Sequence, residues 1–115
     1  MATNSDCLFC KIASDVIPVT RLYENEAVLA FPDINPQAPV HLLIIPKRHF
    51  ASLTHTSSSE EILGQLLSAA NEVAQQQHLD NGFRIVINTG PDGGQTVNHL
   101  HLHLLGGRQM HWPPG

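Results

Sequence analysis

The residues His99-Leu100-His101-Leu102-His103-Leu104-Leu105 alternate histidine with leucine near the end of the chain. Successive side chains of a β-strand point to opposite faces, so this alternation predicts a last strand over residues 97–105. The imidazoles would share one face, and Leu100, Leu102 and Leu104 would point into the core. A slip of one residue in the register would bury the imidazoles and expose the leucines. The stretch is therefore expected to fix the register of a sheet together with the position of a polar site.

A row of three histidines has three interpretations: a solvated polar face, a three-histidine metal site of the carbonic anhydrase type, or a row that contacts an anion. The first and third imidazoles would start roughly 13 Å apart along a strand, whereas zinc binds each nitrogen at about 2 Å. Two of them could share a metal, but three would strain the strand. As an anion site, a neutral imidazole can attack phosphorus while a protonated neighbour donates to a phosphate oxygen or to the leaving group.

The loop before the histidine row, Asn88 to Thr96, favours the anion interpretation. Gly93 and Gly94 would let the backbone approach a phosphate closely, and Gln95 and Thr96 add polar groups. The formal net charge is −4, from 6 Lys+Arg against 10 Asp+Glu, which argues against a nucleic-acid partner. We therefore expect phosphate to be bound by local N–H groups and a few side chains rather than by a basic surface.

The rest of the chain predicts an α+β fold: an antiparallel sheet of about five strands with one long and one short helix. At 115 residues, the chain fits one domain, residues 1–115. Ser58 and Glu61 predict a capping box, and Gly82 a turn with positive φ. The predicted elements are a short helix over 7–14, a hairpin over 19–31, strands over 41–45, 83–88 and 97–105, and a long helix from Ser58 to about Leu79. The small core and the amphipathic helix predict a homodimer.

The N-terminal residues indicate the compartment. Cys7 and Cys10 are too close for a long-range disulfide, which leaves reduced thiols or metal ligands. The start MATNSDCLFC has no charged leader, and no stretch approaches the roughly 20 apolar residues of a membrane span. We expect a cytoplasmic protein with no membrane partner.

The histidine row resembles the signature of the histidine triad (HIT) superfamily, together with Asn88, Gly93, Gln95 and Val97 upstream of it. Within that superfamily the chain looks like the Hint branch, and the resemblance covers nearly its whole length. The segments that carry it are Asp33-Ile34-Asn35-Pro36-Gln37-Ala38-Pro39 followed by His41, Ile45-Pro46-Lys47-Arg48-His49, and Gly106 to Gly115. The resemblance implies a HIT-like homodimer that hydrolyses purine nucleoside phosphoramidates and related adenylates.

The resemblance also implies catalytic roles. His101 would be the nucleophile that takes the nucleotidyl group, His103 would contact the phosphate, and His99 would orient or support the nucleophile. His41 would act from a neighbouring strand. No catalytic metal is expected at the phosphate.

Residues that bind an AMP-type nucleotide follow from the same resemblance. Asp33 would accept hydrogen bonds from the ribose hydroxyls. The alternative interpretation is that Asp33 is only a turn residue before Pro36. Thr96 stands where the family commonly has serine, and it keeps the hydroxyl. The ribose–phosphate end would be held by Asn88, Gly94, Gln95 and Thr96, and the base would lie among Phe9, Ile12, Ile17, Phe31, Ile34 and Leu43.

Some HIT proteins carry a structural zinc, which the resemblance places here on Cys7, Cys10, His49 and His99. Two thiolates and two imidazoles make a closed tetrahedral set that stabilises without doing chemistry. This leaves a function of another class open: a zinc-stabilised nucleotide-binding scaffold with little turnover. An assay of turnover on an adenosine phosphoramidate discriminates between the two.

Overall fold

The computed structural model describes residues 6–115 and has one antiparallel five-stranded sheet, in the order β1-β2-β3-β5-β4. Its elements in chain order are α1 (Leu8–Ala13), β1 (Tyr23–Glu24), β2 (Val28–Pro32), β3 (Val40–Pro46), a 3₁₀ turn (Leu53–His55), α2 (Glu60–Gln76), β4 (Phe83–Val86) and β5 (Leu102–Gly106). The predicted α+β class, with one long and one short helix, is confirmed. No helix within residues 6–115 is both long and apolar enough to cross a membrane.

The two faces of the sheet carry separate apolar clusters. On one face, α2 packs its buried stripe, which includes Leu66, Ala70 and Val73, against β2, β3 and β5. The three- and four-residue spacing of this stripe puts its members on one side of the helix. The opposite face carries α1 and a smaller cluster made of Phe9, Ile12, Leu29, Phe31, Leu43 and Ile45. The leucines of the histidine row, Leu100, Leu102 and Leu104, belong to the α2 cluster as expected.

The register of β5 decides where the last histidine lies. Leu102 pairs with Ile44, and His103 pairs with Leu43 on the central strand β3. Because side chains alternate along β5, Leu102 and Leu104 are buried while His103 is half-buried on the face that carries α1.

The last strand is shorter than predicted. It begins at Leu102 rather than at residue 97, so His99 and His101 precede it. The backbone of this stretch bonds elsewhere: the N–H of Leu100 donates to the carbonyl of Phe50, with the two atoms 2.6 Å apart. The bend before β5 therefore sends His99 away from the other two imidazoles. Strand β4 is also shorter, ending at Val86 rather than at residue 88.

The ends of α2 differ from the prediction too. The helix begins at Glu60 with Ser59 as its N-cap, and Ser59 makes no side-chain capping bond. The predicted capping box of Ser58 and Glu61 is therefore wrong. The helix ends at Gln76, before Leu79, because His78 adopts a left-handed conformation with φ of 59°. Gly82 has the positive φ expected of it, at 118°.

Candidate active site and metal centre

A cleft of about 380 Å³ opens beside α1 on the face of the sheet opposite α2. Polar groups come from Asp33, Thr96, His101 and His103, and the rest of the lining is apolar. The apolar residues proposed to surround a base all line it: Phe9, Ile12, Ile17, Phe31, Ile34 and Leu43. Of these only Ile34 is fully exposed, so it lies at the rim. The cleft thus joins an apolar pocket to a small polar set.

Sequence reasoning missed part of the apolar lining. The additional residues are Leu8, Pro18, Val19, Pro32 and Val97. Most of them directly precede or follow a predicted lining residue in the chain, which is the signal that could have found them.

His101 has one ring nitrogen committed to the backbone. Its Nδ1 lies 2.7 Å from the carbonyl oxygen of His99, which can only accept, so Nδ1 donates. In that neutral tautomer the lone pair lies on Nε2. The ring is buried, and its edge packs on Phe9 with the ring centroids 5.1 Å apart. His101 lines the cleft, and in this tautomer Nε2 is the ring nitrogen that carries the lone pair.

His103 meets a second histidine from the neighbouring strand. Its Nδ1 lies 2.9 Å from Nε2 of His41. The Oδ2 atom of Asp33 lies 3.4 Å from Nε2 of His41 and 4.0 Å from Nδ1 of His103. Burial lowers the pKa of His103 below its ordinary 6.5; His101 and His41 act in the same direction, and Asp33 opposes them. The His103 ring is therefore mostly neutral at pH 7.

His99 turns its ring away from the cleft. Its Nε2 donates to the carbonyl oxygen of Pro46 at 2.8 Å, so the lone pair lies on Nδ1. That atom is 3.2 Å from Sγ of Cys7 and 3.5 Å from Sγ of Cys10. Burial lowers the pKa of His99 to about 4, although the bond to Pro46 acts in the opposite direction. The imidazole is thus neutral at pH 7, the form that a metal requires.

Four side chains converge at the N-terminal end of α1. The ligand atoms of Cys7, Cys10, His49 and His99 all lie within 4.8 Å of one another. Cys7 is the N-cap of α1, and the C-x-x-C spacing brings both thiols to the first turn. No disulfide joins them. Two soft thiols and two imidazoles suit zinc better than hard cations, which prefer oxygen. The cluster can hold a metal, and its residues are the set that the family resemblance implies.

The glycine-rich loop is braced by its own residues. The Gln95 side chain accepts a bond from the N–H of Gly90 at 3.0 Å and donates to the carbonyl of Ala51 at 2.7 Å. Its amide is therefore committed to the backbone. A Cβ at Gly93 would collide with the backbone of Thr89, so this glycine serves the packing of the loop itself.

Of the loop residues proposed to hold the ribose and phosphate, Thr96 lines the cleft. Asn88, Gly94 and Gln95 are not among its lining residues. Gly94 has a positive φ of 77°.

A family model, described as the HIT domain, matches residues 14–110. The chain belongs to the HIT family. Within that family it is placed in the Hint branch by a relative from Arabidopsis thaliana named adenylylsulfatase HINT1, which is 55% identical over 98% of this chain and 79% of the relative.

Two further comparisons extend the match. A 14 kDa zinc-binding protein of Zea mays is 56% identical over 97% of this chain and 90% of that protein. A solved HIT family hydrolase from Legionella pneumophila Philadelphia 1 superposes with a TM-score of 0.92 at 53% identity, covering 96% of this chain and all of that one. The chain thus has the fold of HIT family hydrolases.

Proposed function

We propose that this HIT protein hydrolyses purine nucleoside phosphoramidates and related adenylates through a covalent nucleotidyl intermediate on Nε2 of His101. The observation that carries the proposal is the bond from His101 Nδ1 to the carbonyl of His99, at 2.7 Å, beside the cleft. It orients the ring and leaves the Nε2 lone pair for attack on phosphorus.

The reaction takes two displacements. In the first, the Nε2 lone pair of His101 forms a bond to phosphorus, and the bond from phosphorus to the leaving nitrogen or oxygen breaks. The leaving group departs with the bonding pair and one proton from the site or from solvent. In the second, water adds a hydroxyl to phosphorus, releases a proton and displaces Nε2, which restores the imidazole. The chain contributes mainly positioning and electrostatic stabilisation.

Nucleotide binding is divided between the apolar and polar parts of the cleft. The purine base would lie between Phe9, Phe31 and Leu43, with Ile34 at the rim. Asp33 would accept the ribose hydroxyls: its Oδ1 already accepts the N–H of Asn35 at 2.8 Å, which fixes the carboxylate. Thr96 and His103 would contact the phosphate, with Asn88, Gly94 and Gln95 supporting the loop. The adenylylsulfatase name of the Arabidopsis relative supports a nucleotide substrate.

Turnover of adenosine 5′-phosphoramidate tests the proposal. Release of AMP by the wild type and its loss in His101→Ala, with AMP binding retained, is the expected result. His78→Asn is a matched control, because His78 is exposed, lies outside the cleft and has the left-handed backbone that asparagine tolerates. If the wild type binds AMP but leaves the phosphoramidate intact, the scaffold function is correct and the hydrolase proposal is wrong.

We also propose that Cys7, Cys10, His49 and His99 bind one structural zinc ion. When bound, zinc would cross-link α1 to the segment after β3 and to the bend before β5. The zinc-binding name of the maize relative and the converging ligand atoms support this. The thiols must stay reduced for it, which favours the cytoplasm. Metal analysis of protein purified without chelator should find near one zinc per chain, and less than a tenth of that would contradict the proposal.

A homodimer is the final part of the proposal. Within residues 6–115 strand β4 pairs with β5 alone, so its other edge can accept a second copy, and it carries exposed Phe83. Leu67 on α2 is also exposed. In such a dimer the exposed Trp112 would reach towards the partner's cleft. Light scattering at micromolar concentration should give twice the mass of the chain, and a stable monomer would contradict this.

A further inference from the structure

His41 lies in a chain of hydrogen bonds that begins at the backbone. The N–H of Gln37 points at Nδ1 of His41, with the two nitrogens 3.0 Å apart. A backbone N–H can only donate, so Nδ1 must carry a lone pair. The ring proton of neutral His41 is therefore on Nε2, the atom that lies 2.9 Å from Nδ1 of His103.

The same reasoning passes to His103. Because Nε2 of His41 carries a proton and lies 2.9 Å from Nδ1 of His103, that Nδ1 accepts rather than carrying a second proton; Oδ2 of Asp33, at 3.4 Å from the same Nε2, is the more distant acceptor. The proton of the neutral His103 ring therefore lies on its Nε2. Asp33 does not compete for a proton on Nδ1, since its nearer oxygen is 4.0 Å away, beyond hydrogen-bond distance. His103 lines the cleft and so offers an N–H there, whereas its neighbour His101 offers a lone pair.

We infer that the backbone N–H of Gln37 acts through His41 to hold His103 in the tautomer that presents Nε2–H to a phosphoryl oxygen of the substrate. This rests on the proposed function for the identity of the acceptor. His41 is then a positioning residue, and His103 supplies a fixed donor where negative charge builds up on the phosphoryl group. No proton is transferred in this role.

The segment that contains Gln37 is braced for such a task. Pro36 and Pro39 restrict the backbone on either side of it. The Gln37 side chain donates to the carbonyl of Asn35 at 3.1 Å, and the Arg108 guanidinium donates to the carbonyl of Gln37 at 3.3 Å. The direction of the Gln37 N–H is therefore set by contacts on both sides of the peptide.

The ligand atoms of Asp33, His41 and His103 also lie within 4.8 Å of one another, the spacing of a metal site. A metal there would need the Nε2 lone pair of His41, which would move the ring proton to Nδ1. Two N–H groups would then face each other across 3.0 Å, because the Gln37 N–H cannot turn away. The backbone opposes a metal at this position and favours the donor chain.

Long-range ¹H–¹⁵N correlation spectra of the histidine rings in the ¹⁵N-labelled, zinc-loaded protein measure the tautomers directly. The wild type should show His103 with its ring proton on Nε2. The ring signals of His103 are assigned by their disappearance in His103→Gln. In His41→Met the donor to Nδ1 is lost, so the ring is no longer held in one tautomer and the Nδ1–H form should appear beside the Nε2–H form. His41→Gln keeps an N–H donor in a similar place and should restore the wild-type pattern. His78→Asn should leave it unchanged.

Turnover of the same variants tests the functional half. Loss of one preorganised donor costs about 10²–10³ in kcat in comparable sites; a donor that is only misdirected should cost about tenfold in kcat in His41→Met, with recovery in His41→Gln. A wild-type His103 protonated on Nδ1, a wild-type pattern in His41→Met, or a second zinc that needs His41 would overturn the inference. Unchanged kcat in His41→Met would overturn its functional half. If His41→Met does not fold, the wild-type tautomer alone decides.

The two proposals fail separately. A wild type without turnover but with the expected His103 tautomer refutes the hydrolase and leaves the hydrogen-bond chain standing. Turnover together with the opposite tautomer refutes the chain and leaves the hydrolase standing.

Discussion

His99 and His101 are two residues apart, both buried and both packed edge-on against Phe9, yet they lie in different sites. In His99 the Nε2–H donates a hydrogen bond to the carbonyl of Pro46, and Nδ1 faces the thiols. In His101 the Nδ1–H donates a hydrogen bond to the carbonyl of His99, and the lone pair is on Nε2. The comparison teaches that the backbone carbonyl a ring meets, rather than its place in the row, decides which ring nitrogen keeps the lone pair: Nδ1 beside the thiols in His99, Nε2 in His101.

The largest expected effect separates the two sites by activity. His101→Ala should lower phosphoramidate hydrolysis by at least about 10³-fold, because an obligatory nucleophile is lost. Affinity for AMP should change little, since Asp33 and the apolar walls remain. Steady-state kinetics and calorimetry measure the two quantities. More than a few per cent of residual activity would refute the assignment of His101.

The second prediction addresses the cluster. Cys7→Ser should remove zinc and lower the melting temperature by roughly 10 °C, since a ligand at a hundred times its Kd stabilises by about 2.7 kcal/mol. Affinity for AMP should be largely preserved. Thermal scans with matched zinc analysis provide the measurement. Full zinc occupancy in Cys7→Ser, or a melting temperature equal to the wild type's, would contradict the cluster's role.

A third prediction concerns the glycine-rich loop at residues 88–96, which precedes the histidine row. Gly93→Ala places a Cβ against the backbone of Thr89, so the loop must shift, and AMP affinity should fall several-fold. Gly64→Ala is the matched control, because a Cβ there meets nothing within 4 Å in the middle of α2. That substitution should raise stability by about 0.5–1 kcal/mol. Equal AMP affinity in both variants would show that the Gly93 packing does not matter for binding.

The smallest effect is a pH dependence. Burial holds the pKa of His103 below 6.5 in the folded chain, so the unfolded chain takes up this proton first. The contribution of His103 to the free energy of unfolding should therefore fall as pH drops through 6.5 towards its folded pKa. An NMR titration of the His103 ring should have its midpoint below 6.5. A midpoint above that value would mean that Asp33 outweighs burial.

Much of this was predictable from the sequence because it depends on local periodicity. The two-residue alternation of the histidine row predicts that Leu100, Leu102 and Leu104 enter the core, and they do. The metal cluster came from the family resemblance rather than from spacing, since His49 meets the cysteines only in the folded chain. The α+β class followed from the order of the elements.

The errors and omissions depend on tertiary contacts. The start of the last strand was misplaced because the N–H of Leu100 bonds to Phe50, far away in sequence. The helix end near Leu79 was misplaced because His78 already adopts a left-handed conformation, four residues before Gly82, whose positive φ was predicted to end the helix. The tautomer of His103 was out of reach, since it depends on the direction of one backbone N–H at Gln37.

The most direct test of the central claim is the position of the covalent adduct. The ¹⁵N-labelled protein would react with adenosine 5′-phosphoramidate and be quenched rapidly at alkaline pH; tandem mass spectrometry then identifies the modified residue, and ³¹P–¹⁵N coupling identifies the ring nitrogen. The account predicts a nucleotidyl group on Nε2 of His101, because Nδ1 is bonded to the carbonyl of His99. An adduct on Nδ1 of His101, or on His99, His103 or His41, would contradict it.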